Sequence, residues 1–311
     1  MALPLKYNLR NLRVRWRSTL ATVLGIGLVV MVFIFVRSLG HGMEATYIRT
    51  GDPRNLIVLR KGATAESSSQ ISRDEARRIQ YLTGIARDPQ SNPIASAEII
   101  VLIILDRATG AGTANVLVRG IGSMAMQLRP QLRLIEGRML QPGLHECIVS
   151  RRIAERFKHC RVGDSFQSGK TTWHVVGMFE AQQSAYESEI WVDADEARAA
   201  FKRSFYGSVL LRPIDSAAAE LLKQRMLSDR LLSVKVMTES AYYEEQTQSA
   251  GFLRFLASFL AVIMSIGAAF AAMNTMYAAV GARTREIGTL RVLGFRRRQI
   301  YASILFESVL L

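Results

Sequence analysis

Residues 18–36 read STLATVLGIGLVVMVFIFV, a run of 19 residues without a charge that is bounded by Arg17 and Arg37. As a helix with a rise of about 1.5 Å per residue, the run would be about 28 Å long, close to the hydrocarbon thickness of a bilayer. It is long for the apolar part of a signal peptide, and no small-x-small cleavage site follows it. The run therefore predicts an uncleaved membrane-spanning helix, with a cleaved signal peptide as the alternative.

Two further apolar runs lie near the C-terminus. Residues 255–282 carry no charge between Arg254 and Arg283, and at 28 residues we expect this second span to tilt or to protrude from the bilayer. A third run begins at Ile300 and reaches Leu311, the last residue, after twelve residues. Because a helix needs about 20 residues to cross a bilayer, we expect the sequence to stop within a third span.

The basic residues are concentrated around these runs. The 311-residue chain has a net charge of +14, and +11 of it falls in residues 1–37 and 251–311. Residues 38–250 are nearly balanced, with 27 basic and 24 acidic side chains. This distribution is typical of membrane flanks and argues against a nucleic-acid-binding protein.

The same charges predict the orientation in the membrane. Positively charged flanks stay on the cytoplasmic side, so the segments before the first run and after the second are expected to be cytoplasmic. The N-terminus is then inside the cell, and the domain between the first two spans lies outside the cytoplasm. A mean hydropathy of +0.13 for the whole chain agrees with membrane segments.

The outside region has the pattern of a mixed α+β domain rather than of repeats. Alternating or β-branched runs predict strands at 55–60, 98–106, 114–121, 146–150, 171–179, 189–192, 208–212 and 233–237. Helical patterns lie at 72–82, 151–158, 193–202 and 216–227. Ser72 and Glu75 are spaced as a capping box, and Asp193 is placed to cap a helix. We expect two subdomains that meet near residues 130–145.

From Glu239 the helical pattern continues without a proline into the second apolar run. The second span is therefore expected to begin as a helix that stands out from the membrane as a stalk. Such a helix would be continuous from Glu239 to Ala282.

Motifs for catalysis or cofactor binding are weak. Residues 163–171 resemble a phosphate-binding loop, but they have one residue too many and precede a strand-like run, which favours a hairpin turn. Residues 120–125 are a poor match to a dinucleotide-binding turn and are expected to be a turn or loop. The four histidines lack the spacing of metal ligands. We expect no catalytic residue, no metal and no cofactor.

Cys147 and Cys160 are the only cysteines in the sequence. They lie in the region expected outside the cytoplasm, where a disulfide can form. Cys147 also falls in a strand-like run, which favours a buried free thiol. The sequence leaves both states open.

The segment after the second span combines an apolar stripe with arginines. Ile287, Leu290 and Leu293 recur every three residues, and Gly294 is placed to end a short helix in the left-handed conformation. One interpretation is an amphipathic helix that lies on anionic lipid. The other is a docking helix for a cytoplasmic partner.

This segment, RTREIGTLRVLGFRRRQI at 283–300, closely resembles the cytoplasmic signature of MacB/FtsX-type ABC transporter permeases. The outside region is similar to the MacB-like periplasmic core domain. The similar stretches are NLIVLRKGA at 55–63, VRGI at 118–121, LIEGRML at 134–140, CIVSRRIAERF at 147–157 and VGD at 162–164.

The resemblance implies a multi-pass permease of the bacterial inner membrane that couples ATP hydrolysis, by a separate ATP-binding subunit, to movement of the periplasmic domain. Export, efflux, or lipid or lipoprotein handling would be its role, and the permease itself would not be an enzyme. Expected partners are the ATP-binding subunit, a second permease copy of the same or a different kind, membrane lipid and, as a further candidate, a periplasmic adaptor protein. The coupling residues implied for docking on the ATPase are Glu286, Ile287, Gly288, Leu290, Arg291, Leu293 and Gly294.

The expected domain boundaries follow from these patterns. They are a cytoplasmic N-terminus (1–17), a first span (18–36), the periplasmic core domain (37–238), the stalk and second span (239–282), the cytoplasmic coupling segment (283–299) and the start of a third span (300–311). Two alternatives remain. An FtsX-like regulator of cell-wall hydrolases shares this layout and differs in its partner. A two-span receptor with an outside sensing domain would need a long cytoplasmic output domain after the second span, where the sequence instead begins a third apolar run.

Overall fold

The computed structural model describes residues 16–110 and 112–302. The expected cytoplasmic N-terminus before residue 16, and residues 303–311 of the expected third span, lie outside the described residues. Gly42–Ser249 form one compact unit, called the core domain below, and the chain on either side of it belongs to a second unit.

Strands and short helices alternate along the core domain, and in the sequence one long helix enters it and another leaves it toward a last short helix. The helices are α1 (Trp16–Ile48), α2 (Arg73–Gln80), α3 (Ala125–Leu128), α4 (Arg151–Arg156), α5 (Ala194–Ala200), α6 (Ser216–Ser228), α7 (Glu239–Ala282) and α8 (Thr284–Val292). The strands are β1 (Leu56–Arg60), β2 (Ala95–Asp106), β3 (Thr113–Ile121), β4 (Arg133–Gly137), β5 (Glu146–Ser150), β6 (Ser165–Ser168), β7 (Thr171–Glu180), β8 (Glu189–Asp193), β9 (Ser208–Leu211) and β10 (Val234–Thr238). Short 3-10 helices lie at Glu66–Ser68 and Ala185–Ser188. The predicted α+β class and each strand and helix predicted for this region are confirmed, with ends that shift by a few residues.

The strands form one mixed sheet in the order β10-β1-β9-β2-β3-β8-β5-β7-β4, with β6 paired to β7. The pairs β3–β8 and β5–β7 are parallel and the other pairs are antiparallel. The long strand β2 is shared by two halves of the sheet. Its residues 95–98 pair with β9, and residues 99–106 pair with β3.

Each half of the core domain has its own hydrophobic core. In the first half, Leu56 and Val58 of β1 pack with Ile79 of α2, while Ile57 and Leu59 point to a different cluster on the other face. Because β1 is buried on both faces, it reads as a continuous apolar run rather than an alternating one.

The second half packs around β5, β7 and β8. Trp173 of β7 and Ile190 of β8 lie in one cluster with Ala197 of α5. A third cluster contains Trp191, on the opposite face of β8, and Tyr243 from α7. The helix that leaves the core domain is therefore packed into it through its first turns.

Local capping explains where two of the helices begin. The hydroxyl of Ser72 accepts a hydrogen bond from the Glu75 backbone N–H, and the Glu75 carboxylate accepts one from the Ser72 N–H. Asp193 caps α5 by accepting from the backbone N–H groups of Asp195 and Glu196. Both predicted caps are confirmed.

Two features of the core domain differ from the sequence-based expectation. Strands β4 and β6 were not predicted, and a four-residue helix, α3, follows Gly122, although none was expected there. The expected subdomain boundary near residues 130–145 stays a prediction; β4, which lies within that range, and β5, which follows it, both pair with β7. The hairpin expected at residues 163–171 is formed by β6 and the start of β7, which are joined by a turn at Gly169 and Lys170.

Helices α1 and α7 contain the two apolar runs. Helix α7 is unbroken over Glu239–Ala282, as the absence of proline predicts. Within the described residues, no helix combines the length and the apolar character needed to cross a membrane. The two spans stay predictions.

Both cysteines are free thiols buried in the second-half core. Burial raises the pKa of the Cys147 thiol well above its usual range, and it raises the pKa of Cys160 to about 12. The disulfide considered from the sequence is therefore replaced by two packed thiols.

We predict that neither thiol reacts with an aromatic disulfide reagent at neutral pH in the native protein, because the reactive thiolate is scarce and buried. Denaturation without a reductant should release two titratable thiols per chain. Fewer than two after denaturation would contradict the free-thiol assignment.

Candidate functional site

Six charged side chains are buried together in the core domain. We call them the buried ion network: Glu66, Glu98, Arg119, Arg129, Glu189 and Glu239. None of these side chains is more than 5% exposed. They come from the first 3-10 helix, β2, β3, the residue after α3, β8 and the first residue of α7. The network therefore joins elements that are far apart in the sequence.

Arg119 binds three carboxylates at once. Its Nε and Nη2 donate to the two oxygens of Glu189, at 2.8 and 2.9 Å. Its Nη1 donates to Oε1 of Glu66 at 3.0 Å and to Oε2 of Glu98 at 2.9 Å. A guanidinium group is planar and rigid, which suits such paired contacts. Arg119 therefore fixes the positions of the Glu66, Glu98 and Glu189 side chains relative to β3.

Glu98 lies between the two arginines. Arg129 donates to both Glu98 oxygens at 2.7 Å, while Arg119 donates to one of them. Although burial raises the pKa of the Glu98 carboxyl, the two guanidiniums lower it below its usual value. Glu98 is also the last β2 residue that pairs with β9, and Ile99 is the first that pairs with β3. The network is thus centred where the two halves of the sheet meet.

Glu239 connects the network to the first turn of α7. Its Oε2 accepts hydrogen bonds from the backbone N–H of Asp52, at 3.0 Å, and from Nδ2 of Asn55, at 2.8 Å. Its Oε1 accepts from the Tyr186 hydroxyl at 2.8 Å and lies 3.9 Å from Nε of Arg129. The start of α7 is therefore tied to the segment between α1 and β1.

That segment passes directly against α7. A Cβ atom on Gly51 would lie 2.6 Å from the Cα of Ser240, so only glycine fits there. The ring of Tyr47, in the last turn of α1, stacks on Tyr243 with a centroid separation of 6.1 Å. The core domain thus holds the last turn of α1 and the first turn of α7 side by side. We call this contact, made by residues 47–55 and 239–243, the helix junction.

The sequence analysis did not single out this network. A signal was present, because Glu98, Arg119 and Glu189 stand within runs that are otherwise apolar (SAEIIV, VLVRGI and SEIWV). A charge within such a run is buried only when it is paired. The partners, however, depend on strand order, which a local pattern does not contain.

The predicted coupling residues lie in α8 and at its C-terminal end. Helix α8 begins after Arg283, one residue beyond α7, and its C-cap is Leu293. Gly294 has φ +91°, its N–H donates to the Arg291 carbonyl, and the Phe295 N–H donates to the Leu290 carbonyl. This is the Schellman arrangement, and it confirms that Gly294 ends the helix in the left-handed conformation.

The apolar stripe of this helix is only partly covered. Ile287 and Leu290 are half-buried, whereas Leu293 is exposed. The backbone of Gly288 and the side chains of Glu286 and Arg291 are also exposed. The predicted residues share one short surface helix and its cap, and their docking role stays a prediction.

Metal binding finds no support in the described part of the chain. No three His, Cys, Asp or Glu side chains come close enough there to hold a metal ion. His145 lies in the turn before β5, and His174 lies within the neighbouring strand β7, where its Nδ1 is 2.8 Å from the Ser165 hydroxyl.

These features define a class of protein: a mixed α+β domain inserted in sequence between two long helices and followed by a short exposed helix. The chain belongs to the MacB-like periplasmic core domain family, whose model matches residues 19–228, and its residues 258–311 match the FtsX-like permease C-terminal model. The resemblance noted from the sequence is thereby confirmed.

Curated relatives match part of the chain. The macrolide export ATP-binding/permease protein MacB of Rhodopseudomonas palustris is 26% identical over 219 residues, which is 64% of this chain and 33% of the relative. MacB of Hahella chejuensis, described in the same words, is 25% identical over 161 residues, which is 48% of this chain and 24% of the relative. The matched part of this chain therefore corresponds to a third or less of the length of these relatives.

Among solved structures, the periplasmic region of MacB from Actinobacillus actinomycetemcomitans matches 65% of this chain and 95% of its own length. The sequence identity is 15% and the TM-score is 0.49.

We predict that Arg119→Met lowers the free energy of unfolding by about 3–5 kcal/mol, because it leaves buried carboxylates without their cation. The matched control is Arg73→Met, which removes a largely exposed arginine 3.7 Å from Asp195 and should cost less than about 1 kcal/mol. Denaturant unfolding of the full chain, followed by the fluorescence of the buried Trp173 and Trp191, measures both. Equal costs for the two variants would contradict a structural role for the network.

Proposed function

We propose that the protein is the permease subunit of an ABC transporter in a bacterial inner membrane. ATP hydrolysis in a separate ATP-binding subunit would drive movement of the core domain on the periplasmic side, for export, efflux, or lipid or lipoprotein handling. The observation that carries this proposal is the order of elements. Helix α8 follows α7 after a single residue, and α7 begins inside the buried ion network of the core domain.

Helices α1 and α7 would cross the membrane over residues 18–36 and 255–282. Large apolar side chains on them are exposed, among them Leu24 (63%), Phe35 (67%) and Phe270 (63%). Apolar surface of this extent is unfavourable in water, and lipid or a second helix would cover it. The basic flanks then favour a cytoplasmic N-terminus and a periplasmic core domain.

Docking on the ATPase would use the exposed helix α8. Ile287, Leu290 and Leu293 would supply the apolar contact, and Glu286 and Arg291 would set its register. A helix of nine residues that ends in a Schellman cap presents these side chains on a rigid support. The motor would be a separate subunit, as the family resemblance implies; residues 163–171, which resemble a phosphate-binding loop, instead hold β6 and the turn into β7.

The family assignment favours a transporter over the alternative of a two-span receptor. Residues 258–311 match an FtsX-like permease model, where a receptor would have an output domain. The names of the relatives include macrolide export, so a macrolide is one candidate cargo under this proposal. A second permease copy and a periplasmic adaptor protein complete the proposed assembly.

We predict that Leu290→Asp reduces recovery of the ATP-binding subunit at least about tenfold when tagged full-length permease is purified. Placing an unpaired carboxylate in an apolar contact costs several kcal/mol, and about 1.4 kcal/mol is already a factor of ten. The matched control is Val292→Asp on the same helix, since Val292 is 89% exposed and lies outside the stripe. Recovery equal to wild type with Leu290→Asp would reject the docking role.

The lipid-surface interpretation of α8 predicts a different result. Binding to anionic lipid depends on the number of basic residues near the surface, at about 1 kcal/mol each. Under that interpretation, Arg285→Gln and Leu290→Asp would both weaken binding to anionic vesicles, and neither would change ATPase recovery. Selective loss of the ATPase with Leu290→Asp distinguishes docking from lipid binding.

We predict that a cysteine at Gln90 is labelled by a membrane-impermeant maleimide in intact spheroplasts, since Gln90 is an exposed loop residue of the core domain. A cysteine at Gln299, in the coupling segment, should be labelled only after lysis. The native thiols are buried and give little background. The reverse labelling pattern would overturn the proposed orientation.

A further inference from the structure

The buried ion network has more acidic than basic groups. Four carboxyl groups, those of Glu66, Glu98, Glu189 and Glu239, face two guanidinium groups, those of Arg119 and Arg129. Next to the network, Asp52 pairs with both Arg54 and Arg212, so these three groups carry one net positive charge, which offsets only part of the negative excess inside the network. If all four carboxyl groups were ionised, an excess of two negative charges would be buried.

Uncompensated charge in a protein interior is costly, and a buried carboxyl group avoids the cost by binding a proton. The contacts indicate which of the four carboxyl groups binds the proton. Glu66, Glu98 and Glu189 each have a guanidinium nitrogen within 3.0 Å, whereas the nearest one to Glu239 is at 3.9 Å. Glu239 is therefore the carboxyl group with the weakest ionic compensation.

We propose that Glu239 is a proton-binding site of the helix junction, at which proton uptake tightens the contact between the first turn of α7 and the segment after α1, and proton loss loosens it. This inference concerns the core domain and holds whether or not the protein is a transporter.

The hydrogen bonds around Glu239 accommodate the protonated form. A proton on Oε1 can be donated to the Tyr186 oxygen, and Tyr186 can then donate to Tyr243, whose hydroxyl oxygen is 3.2 Å away. Oε2 remains an acceptor for Asp52 and Asn55. The proton comes from solvent, and no other bond is made or broken.

Titratable and charged groups reach the neighbourhood of Glu239 from every element packed against it. They are Arg129 after α3, Glu98 on β2, Tyr186 in the second 3-10 helix, Tyr243 on α7, Asp52 and Arg54 before β1, and Arg212 after β9. Arg129 and the hydrogen bonds from Asn55, Asp52 and Tyr186 favour the carboxylate. Burial outweighs them and raises the pKa of Glu239 above its usual value of 4.5.

The raised pKa sets the sign of the pH dependence. A carboxyl group that binds its proton more tightly in the folded state contributes stability below its unfolded pKa. That contribution is lost as the pH rises through the folded pKa. The wild-type protein should therefore lose stability with rising pH relative to a variant in which residue 239 is permanently neutral.

Glu239→Gln is that variant. The Gln side-chain oxygen can accept from Asp52 and Asn55, and its NH2 group can donate to Tyr186, so the shape of the junction is retained. Glu245→Gln is the matched control, because Glu245 is an exposed carboxylate on the same helix, paired with Lys235.

The experiment measures the melting temperature of the full chain in detergent from about pH 5 to about pH 9, a range above the usual pKa of glutamate. We expect the melting temperature of Glu239→Gln to exceed that of wild type by an amount that grows with pH, while Glu245→Gln stays parallel to wild type. Parallel curves for Glu239→Gln and wild type would overturn the proposal.

A second measurement does not depend on a stable variant. In infrared spectra of the full wild-type chain recorded at rising pH, the carbonyl band of one protonated carboxyl group should persist after ordinary glutamates have ionised. The band should be missing from Glu239→Gln where that variant folds. Its absence from the wild-type spectrum would also overturn the proposal.

Discussion

The pairing of Glu98 with Arg119 and Arg129 is the interaction on which the rest of the core domain depends. It lies where β2 leaves β9 and begins to pair with β3, so it joins the two halves of the sheet. Each buried charge needs its partners in place, which makes the positions of β3, β8 and α7 depend on one another. A buried ion pair often stabilises no more than apolar packing of the same volume. The main effect of this network is therefore to fix the positions of the six segments that contribute its side chains.

That placement bears on how the domain can move. Helix α7 starts at Glu239, inside the network, and continues without a break to Ala282, next to α8. Gly51 lies against the backbone of Ser240, where a Cβ atom would not fit, so the segment after α1 passes in close contact with α7. In the proposed transporter, a displacement of α8 by the ATPase would reach the core domain through this junction. A proton on Glu239 would set how firmly the junction holds.

Much of the fold was predictable from local pattern. Alternation placed β3 and β7, the Ser72 and Glu75 pair placed the start of α2, and Gly294 placed the end of α8, because each depends on residues only a few positions apart. The short strands β4 and β6 were not predictable in this way, because they depend on pairing with β7. Nor was the division of β2 between the two halves of the sheet, because it depends on which strands pair with β2. The network was missed for the same reason, since Glu98 and Glu239 are 141 positions apart and meet only through the sheet order. For α8 the local pattern gave the helix and its cap, while the proposed docking partner would lie in another molecule.

The buried ion network ties both halves of the core domain and the first turn of α7 into one unit. Hydrogen exchange of the full chain, compared between wild type and Glu98→Gln, tests this coupling. We expect faster exchange together in β1, in β8 and in the first turn of α7, since the variant weakens the charge that both arginines share. Faster exchange confined to β2 and the strands beside it, with the first turn of α7 unchanged, would contradict it.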